Sequence, residues 1–271
     1  MDNSIFKKAS RTHYYSSVFF PKKTREDINI LYTFLRTIDD LVDDYKYPWK
    51  EYKYFKKEYK NVLLGKSTNM VIICEFIKLA RRKDIKEEWI NSLFESMEMD
   101  INSKKYETIQ DTLHYIYGVA EVVGLMVSKI LDLEETAYSY AQLLGRSAQY
   151  INMIRDIKED NSLNKIYFPY EDISLCGLKN LEYEHVKNQP EQFSKFINIQ
   201  LSRYYMWIKE AENGFEYIPQ KYLIGIKTLR DMYNWTAKKI EKNPYILYQI
   251  KVKPHKHRVL ISAFKNFLLV K

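Results

Sequence analysis

Glycine, proline and cysteine are scarce in this sequence. Among 271 residues there are seven glycines, seven prolines and two cysteines. With so few turn-forming residues, the chain must consist mostly of long uninterrupted segments, which are typical of helices rather than of short strands joined by tight turns. Cys74 and Cys176 form no close-spaced pair, so the sequence indicates neither a disulfide framework nor a zinc site.

Long hydrophobic runs are lacking as well. No stretch of 18 or more apolar residues appears, so the sequence predicts no membrane-spanning helix. The opening MDNSIFKKAS contains no apolar signal-peptide core, and we therefore expect a cytoplasmic protein. Hydrophobic residues make up 46% of the chain and no low-complexity linker divides it, so residues 1–271 are predicted to form one domain.

The net charge of +8 predicts an anionic partner, which could be nucleic acid, an anionic membrane surface or a diphosphate substrate. The basic residues are spread along the whole chain. Neither a recognition-helix pattern nor an aromatic RNA-binding signature accompanies them, so nucleic-acid binding is not expected. The sequence leaves the oligomeric state open.

Apolar residues recur at three- and four-residue spacing between the prolines, which is the pattern of amphipathic helices. We predict an all-α bundle with helices over about 25–45, 50–64, 68–82, 86–100, 108–131, 134–159, 191–212, 219–242 and 255–269.

The strongest local signal is TIDDLVDD at 37–44, which places four aspartates on one predicted helix. Like charges four residues apart cost roughly 0.2–0.5 kcal/mol per pair on an exposed helix, so solvent or a cation must compensate them. A solvated surface is the simplest interpretation. Helical geometry restricts this interpretation, because one stripe of the helix is apolar and must face the core. That stripe contains Leu31, Leu35, Ile38 and Val42.

Asp39 and Asp43 flank this core stripe, together with Tyr32 and Arg36, whereas Asp40 and Asp44 point further toward solvent. Two carboxylates one turn apart beside an arginine suit magnesium plus diphosphate. Magnesium takes one or two carboxylates and completes its shell with phosphate oxygens, and the arginine fork matches phosphate geometry.

A second polar stripe lies in QYINMIRDIKED at 149–160. Gln149, Asn152, Asp156 and Asp160 fall within an arc of about 80° on one helix, which also carries Ile151, Met153, Ile154 and Ile157. A surface stripe is again the simplest interpretation, but an exposed helix would not need so many isoleucines. Aspartates supply hard anionic oxygens for magnesium, and the two amides supply neutral oxygens and donors.

Several motifs together resemble the squalene/phytoene synthase family, especially its short archaeal and bacterial members. The resemblance spans nearly the whole chain and implies an isoprenoid-synthase-like helical bundle with a central active-site cavity. The motifs are YYSSVFFP (14–21), LYTFLRTIDDLVDD (31–44), YIYGVAEVVG (115–124), NMIRDIKED (152–160) and NKIYFP (164–169).

The resemblance assigns roles residue by residue. It implies metal ligation by Asp39, Asp43, Asp156, Asp160 and Asn152, and an active-site role for Tyr115. It implies substrate-binding roles for Tyr32, Arg36, Gln149, Asn152, Arg155, Lys165 and Tyr167.

Some positions depart from the family pattern. Lys165 stands where an arginine is usual, Asn164 replaces a glycine, and Glu121 interrupts a small-residue pair. A loop histidine of some relatives is Ala9 here. A C-terminal tyrosine falls on Leu229, with Tyr233 one turn later.

The implied reaction is magnesium-dependent head-to-head condensation of two prenyl diphosphates, in which manganese could replace magnesium. An allylic cation and a cyclopropylcarbinyl diphosphate are the implied intermediates. Tyr115 and Tyr117 are candidates for stabilising the cation. Ser17 and Asn29 occupy positions where bulkier aromatics close the tunnel in relatives that use C15 donors. We therefore expect two geranylgeranyl diphosphates to give phytoene.

Other functions stay open at this point. Squalene or dehydrosqualene synthesis from farnesyl diphosphate is the first alternative, and NADPH is required only if the product is squalene. A non-catalytic helical assembly protein of the same fold is the second, although the four aspartates argue against it. Neither aspartate cluster has the loop spacing of an EF-hand.

The C-terminal KVKPHKHRVLISAFKNFLLVK is basic and amphipathic. It predicts either a terminal helix that caps the bundle or a helix that contacts an anionic membrane, which would place the protein peripherally at the inner membrane face. His255 and His257 lack a third ligand nearby and belong to the basic face.

Overall fold

The computed structural model describes residues 20–43 and 48–269. The first half contains α1 Lys22–Asp43, α2 Pro48–Leu63, α3 Val71–Lys83, α4 Glu87–Ile101, α5 Ile109–Ile116 and α6 Val122–Ile130. The second half contains α7 Tyr138–Ser162, α8 Tyr170–Leu175, α9 Tyr183–Val186, α10 Pro190–Ala211, α11 Gln220–Lys242, α12 Ile246–Gln249 and α13 Lys256–Leu269. No strand occurs in these residues, so the predicted all-α class is confirmed.

The nine predicted helices are all present, with ends within four residues of their predicted positions. One prediction needs refinement, because the helix expected over 108–131 is interrupted by a π-helical turn, Tyr117–Glu121, between α5 and α6. The short helices α8, α9 and α12 are absent from the prediction. Helices of four to six residues complete too little of a 3.6-residue period to be recognised.

The hydrophobic core is divided into three clusters of buried side chains. The N-terminal core is built around Phe34, Phe76 and Phe94, and the C-terminal core around Tyr150 and Phe196. The small core contains Leu131, Tyr222 and Ile226.

Three valine and leucine side chains lie where these cores meet. Val119 packs against the N-terminal and C-terminal cores, Val127 against the N-terminal and small cores, and Leu144 against the C-terminal and small cores. All three are only half-buried. These shared contacts join the three clusters into one continuous core.

Helix α7 lies at the centre of the fold and packs against α5, α6, α10, α11 and α12, whereas α1 packs against α2, α3, α4 and α6. Two glycines allow α7 to approach its neighbours closely. A Cβ at Gly145 would lie 2.3 Å from the Ala120 carbonyl oxygen, and a Cβ at Gly124 would lie 2.3 Å from that of Ala141. Both contacts are too short for any side chain.

The continuous helical stretch Ile109–Ile130 is the one segment among the described residues that is long and apolar enough to cross a membrane. Half of its most apolar window is buried inside the fold. The stretch contains α5, the π-helical turn and α6, and these elements pack against α4 and α7. It serves as a core element of the bundle.

Candidate active site

The first aspartate cluster occupies the last two turns of α1, where Arg36 holds two of its carboxylates. Arg36 Nη1 donates to Asp39 Oδ2 at 2.7 Å, and Nη2 lies 2.5 Å from Asp40 Oδ1. Asp40 was expected to point further toward solvent than Asp39, but the two side chains are similarly exposed, at 41% and 42%, and both are paired with Arg36. Burial, followed by the Asp43 carboxylate, raises the pKa of Asp39 to about 6 even though Arg36 opposes the shift.

The second cluster lies on α7 and is organised by Arg155. Its Nε donates to Asp156 Oδ1 at 2.9 Å, its Nη2 bonds the other Asp156 oxygen, and its Nη1 donates to Asn152 Oδ1 at 2.8 Å. Lys251, from the segment before α13, lies 3.5 Å from Asp156 Oδ1. Burial, followed by the Asp156 and Asp100 carboxylates, raises the pKa of Asp160 to about 8.

Asp100, at the end of α4, lies between the two clusters. Lys165 Nζ is 2.8 Å from Asp43 Oδ1 and 3.3 Å from Asp100 Oδ2, and the Tyr167 hydroxyl donates to Asp100 Oδ1 at 2.7 Å. The Asp100 charge contributes to the raised pKa values of both Asp39 and Asp160. The structure therefore brings the two predicted clusters into one electrostatic unit.

Lys165 is held in this unit by two carboxylates. Burial lowers the pKa of the ammonium, but Asp100 and Asp43 outweigh that effect and raise it. The lysine therefore stays charged in a site where only 14% of its side chain is exposed. It supplies the positive charge that the resemblance assigns to an arginine at this position.

Tyr115 is buried beside this group. Its ring stacks on Tyr167 with centroids 5.0 Å apart, and its hydroxyl is hydrogen-bonded to Tyr167, so a Tyr115–Tyr167–Asp100 chain forms. Burial raises the pKa of Tyr115 well above its usual value, which keeps the hydroxyl neutral. Tyr117 lies elsewhere, because its charged neighbours are Glu88 and Glu121.

Tyr32 and Tyr233 mark the place where α1 and α11 approach each other. Tyr233 is buried, is hydrogen-bonded to Asn152 and has Tyr32 as an electrostatic neighbour. Tyr233, one turn after Leu229, therefore lies beside Asn152 of the second cluster. Gln149 is half-exposed on α7, one turn before Asn152.

The donor set fits magnesium bound together with diphosphate. Among the described residues, no three acidic, histidine or cysteine side chains converge into a ready-made metal cage. Pairs of carboxylates on two helices instead suit an ion that takes most of its remaining ligands from phosphate and water. Burial is the largest cause of the raised pKa values of Asp39 and Asp160, and it disfavours their charged forms, which a bound cation would favour.

Two residues of the site were not found from sequence. Asp100 is a single acid at a helix end and has no carboxylate one turn away, so no spacing signal identifies it. Its apolar neighbours Met99 and Ile101 were the only local clue. Lys251 lies outside any helix, where periodicity gives no information. Ala9, Ser17 and Asp44 lie outside the described residues.

Comparisons with known proteins identify the class. The sequence model of the squalene/phytoene synthase family matches residues 6–265 of the chain, so the chain belongs to this family. It is a prenyltransferase-type synthase by that membership.

Among curated relatives, 15-cis-phytoene synthase of Pantoea ananas is 25% identical over 241 residues, which cover 84% of this chain and 77% of the relative. Chloroplastic phytoene synthase 1 of Arabidopsis thaliana is 24% identical over 216 residues, which cover 76% of this chain. The chain spans about half the length of that plant relative, since the match covers 50% of it.

Solved structures share the fold. A dehydrosqualene synthase crystallised with a ligand superposes with a TM-score of 0.86 at 20% identity, and the match covers 99% of this chain and 94% of the other. The squalene synthase HpnC from Alicyclobacillus acidocaldarius gives a TM-score of 0.79 at 20% identity, covering 90% and 92%. The expected bundle architecture is thereby confirmed.

Proposed function

We propose that this protein condenses two prenyl diphosphates head to head, most favourably two geranylgeranyl diphosphates to phytoene. The observation that carries the proposal is the single unit formed by the aspartates of α1 and α7 around Asp100 and Lys165. Both substrates carry a diphosphate, and two carboxylate clusters with attendant cations offer two places to hold one.

Magnesium, when bound, supplies Lewis-acid stabilisation of the leaving diphosphate. Asp39, Asp43, Asp156 and Asp160, with the Asn152 oxygen, are the residues that would hold it. Arg36, Arg155 and Lys165 would bind diphosphate oxygens. Each of these cations is ion-paired with a carboxylate in the structure, so each is already positioned at the site before diphosphate binds.

The first step breaks the C1–O bond of one allylic diphosphate, and the electron pair leaves with diphosphate. The double bond of the second chain attacks the allylic cation, and loss of a proton gives the cyclopropylcarbinyl diphosphate. Buried Tyr115 and Tyr167 present aromatic faces next to the carboxylates, where a nearby cation would be stabilised and water excluded.

The curated relatives named as phytoene synthases favour the C20 substrate, whereas the structural neighbours are named for squalene and dehydrosqualene. The asparagine at Asn29, which is buried, favours the longer chain because relatives with C15 donors carry a bulkier aromatic there. Squalene or dehydrosqualene synthesis remains the second candidate, with NADPH required only for squalene.

We also propose a cytoplasmic location for the protein, whichever product it makes.

The test is incubation of purified protein and magnesium with farnesyl or geranylgeranyl diphosphate, with and without NADPH, followed by mass analysis of extracted hydrocarbons. A C40 product that needs no NADPH supports phytoene synthesis, and a C30 product moves the assignment to the squalene branch. Asp39→Asn and Asp156→Asn should abolish product. Asp132→Asn, whose side chain is exposed and pairs only with Lys83 among the described residues, is the matched control.

Absence of any metal-dependent product with both donors would instead favour the non-catalytic alternative. Replacing magnesium by manganese in the same assay tests whether the site accepts the second ion.

A further inference from the structure

Helix α13 presents an apolar face to solvent. Six large apolar side chains on it are more than half exposed, namely Leu260, Ile261, Phe264, Phe267, Leu268 and Leu269. At 100° per residue the first five fall within an arc of about 120°, and Leu269 lies outside it. Single exposed apolar residues are ordinary, but a contiguous stripe of five on one helix marks an interaction surface. We call this stripe the α13 apolar face.

The opposite side of α13 packs against α11 and is hydrogen-bonded to it. The apolar face is therefore not the core-facing side of a helix that has come away from the bundle. Val259 and Ala263 are buried against the bundle. Asp231 accepts hydrogen bonds from Ser262 Oγ at 2.6 Å and from Asn266 Nδ2 at 2.9 Å. These polar contacts fix the rotation of α13 about its axis, and that rotation turns the apolar face outward.

Cations border the α13 apolar face on both sides. On the same helical projection Lys256 lies at one edge, and Arg258 and Lys265 lie at the other. Arg258 also packs over the Trp235 ring, 5.1 Å from its centroid, which holds its charge near the surface of the bundle. An apolar stripe flanked by basic residues is the composition of helices that lie in the interface of an anionic membrane.

We propose that the α13 apolar face docks the protein peripherally on the anionic surface of a lipid bilayer. A second copy of the chain fits this face less well. In a two-fold dimer the patch would meet itself, and the cations at its borders would face like charges. Anionic headgroups complement the same cations, and acyl chains accept the apolar side chains.

The docking surface begins close to the candidate active site. Lys251 contacts Asp156 and Glu159, only five residues before α13 starts at Lys256. A membrane that held α13 would therefore lie near the aspartate clusters. If the proposed function holds, prenyl substrates and a hydrocarbon product would pass between bilayer and enzyme over a short path. The docking itself does not depend on that function.

The test is flotation of the full-length protein, without substrate, on phosphatidylcholine vesicles and on vesicles that also contain phosphatidylglycerol. We expect binding to the anionic vesicles that weakens with salt. Phe264→Gln with Phe267→Gln should weaken binding by about tenfold or more. Leu163→Gln with Leu175→Gln, which alters two exposed leucines outside α13, should leave binding unchanged.

Lys256→Gln with Lys265→Gln should reduce the preference for anionic vesicles. All these side chains are exposed, so the fold of every variant should stay intact, and thermal unfolding checks this. The proposal is overturned if the wild type ignores anionic vesicles, or if the phenylalanine variant binds as well as the wild type. It is also overturned if light scattering shows a dimer that the phenylalanine variant dissociates. Because no substrate is used, these outcomes are independent of catalysis.

Discussion

The two aspartate clusters use the same chemical groups but differ in how their charge is compensated. On α1, Arg36 spans Asp39 and Asp40, and Lys165 holds Asp43. On α7, Arg155 is committed to Asp156 and Asn152, and the pKa of Asp160 is raised to about 8. The difference teaches that an added cation would change ionisation most in the α7 cluster, because burial and the neighbouring carboxylates disfavour the charged form of Asp160 more than that of Asp39.

The largest predicted effect is that of removing one carboxylate from either cluster. Asp43→Asn and Asp160→Asn should each lower kcat/KM by roughly 10²–10³-fold, because each loses a carboxyl group from the site proposed to hold diphosphate and metal. Their stabilities should diverge. Asp43→Asn loses the ion pair with Lys165, whereas Asp160→Asn removes a carboxylate that is costly to ionise in the fold.

Thermal unfolding at pH 8 without metal measures this divergence. We expect Tm to fall in Asp43→Asn and to rise by a few degrees in Asp160→Asn. Equal shifts in the two variants would show that the clusters are compensated alike, contrary to the structure.

The second prediction removes the cation between the clusters. Lys165→Ala should destabilise the protein by about 3 kcal/mol, because it leaves Asp100 buried without its ammonium partner. The double variant Lys165→Ala with Asp100→Asn should recover part of that loss, since the buried charge disappears too. Urea unfolding gives both values. If the double variant is less stable than the single one, Lys165 acts mainly elsewhere.

The third prediction concerns pH. The folded-state pKa values of Asp39 and Asp160, about 6 and about 8, are raised from 3.8, so the folded protein keeps protons that the unfolded chain has released. Stability of the metal-free protein should therefore fall as pH rises from about 4 to about 8. Magnesium should raise Tm more at pH 8 than at pH 6, because at pH 6 it must displace a proton from Asp160.

Asp160→Asn provides the control for that measurement. In this variant the decline between pH 6 and pH 8 should flatten, while the part due to Asp39 at lower pH remains. An unchanged pH profile would assign the decline to other groups.

The smallest predicted effect compares two tyrosines from the same segment. Tyr115→Phe breaks the hydroxyl chain through Tyr167 to Asp100 and should reduce kcat by up to roughly tenfold. Tyr117→Phe should change kcat by less than about twofold, because Tyr117 lies beside Glu88 and Glu121 instead. Steady-state kinetics of the two variants tests the separation, and equal losses would contradict it.

Helical periodicity alone was enough to predict the nine long helices, and it singled out Asp39 and Asp43 as the aspartates that flank the apolar stripe of α1. The helical wheel works there because buried Leu31, Ile38 and Val42 define a clear inner face. The pairing of Arg36 with Asp40 was not predictable, since a wheel gives the direction of a side chain but not the reach of a long arginine.

The centre of the site depends on contacts between residues distant in sequence. Asp100 meets Lys165 and Tyr167 across 65 and 67 positions. Neither spacing nor composition encodes such a meeting, because it follows from how α4 packs beside the segment after α7. The site could therefore be predicted as two helical stripes, but its bridging residues required the tertiary structure.

The reciprocal glycine contacts of α7 have a mechanical consequence. Gly145 rests on the Ala120 carbonyl and Gly124 on that of Ala141, so main chain touches main chain at both places. The distance between the segment that carries Tyr115 and the helix that carries Asp156 is thus set by contact between two backbones. Side-chain rotations cannot change this distance, so the spacing of the two segments stays constant while flexible prenyl chains enter and leave.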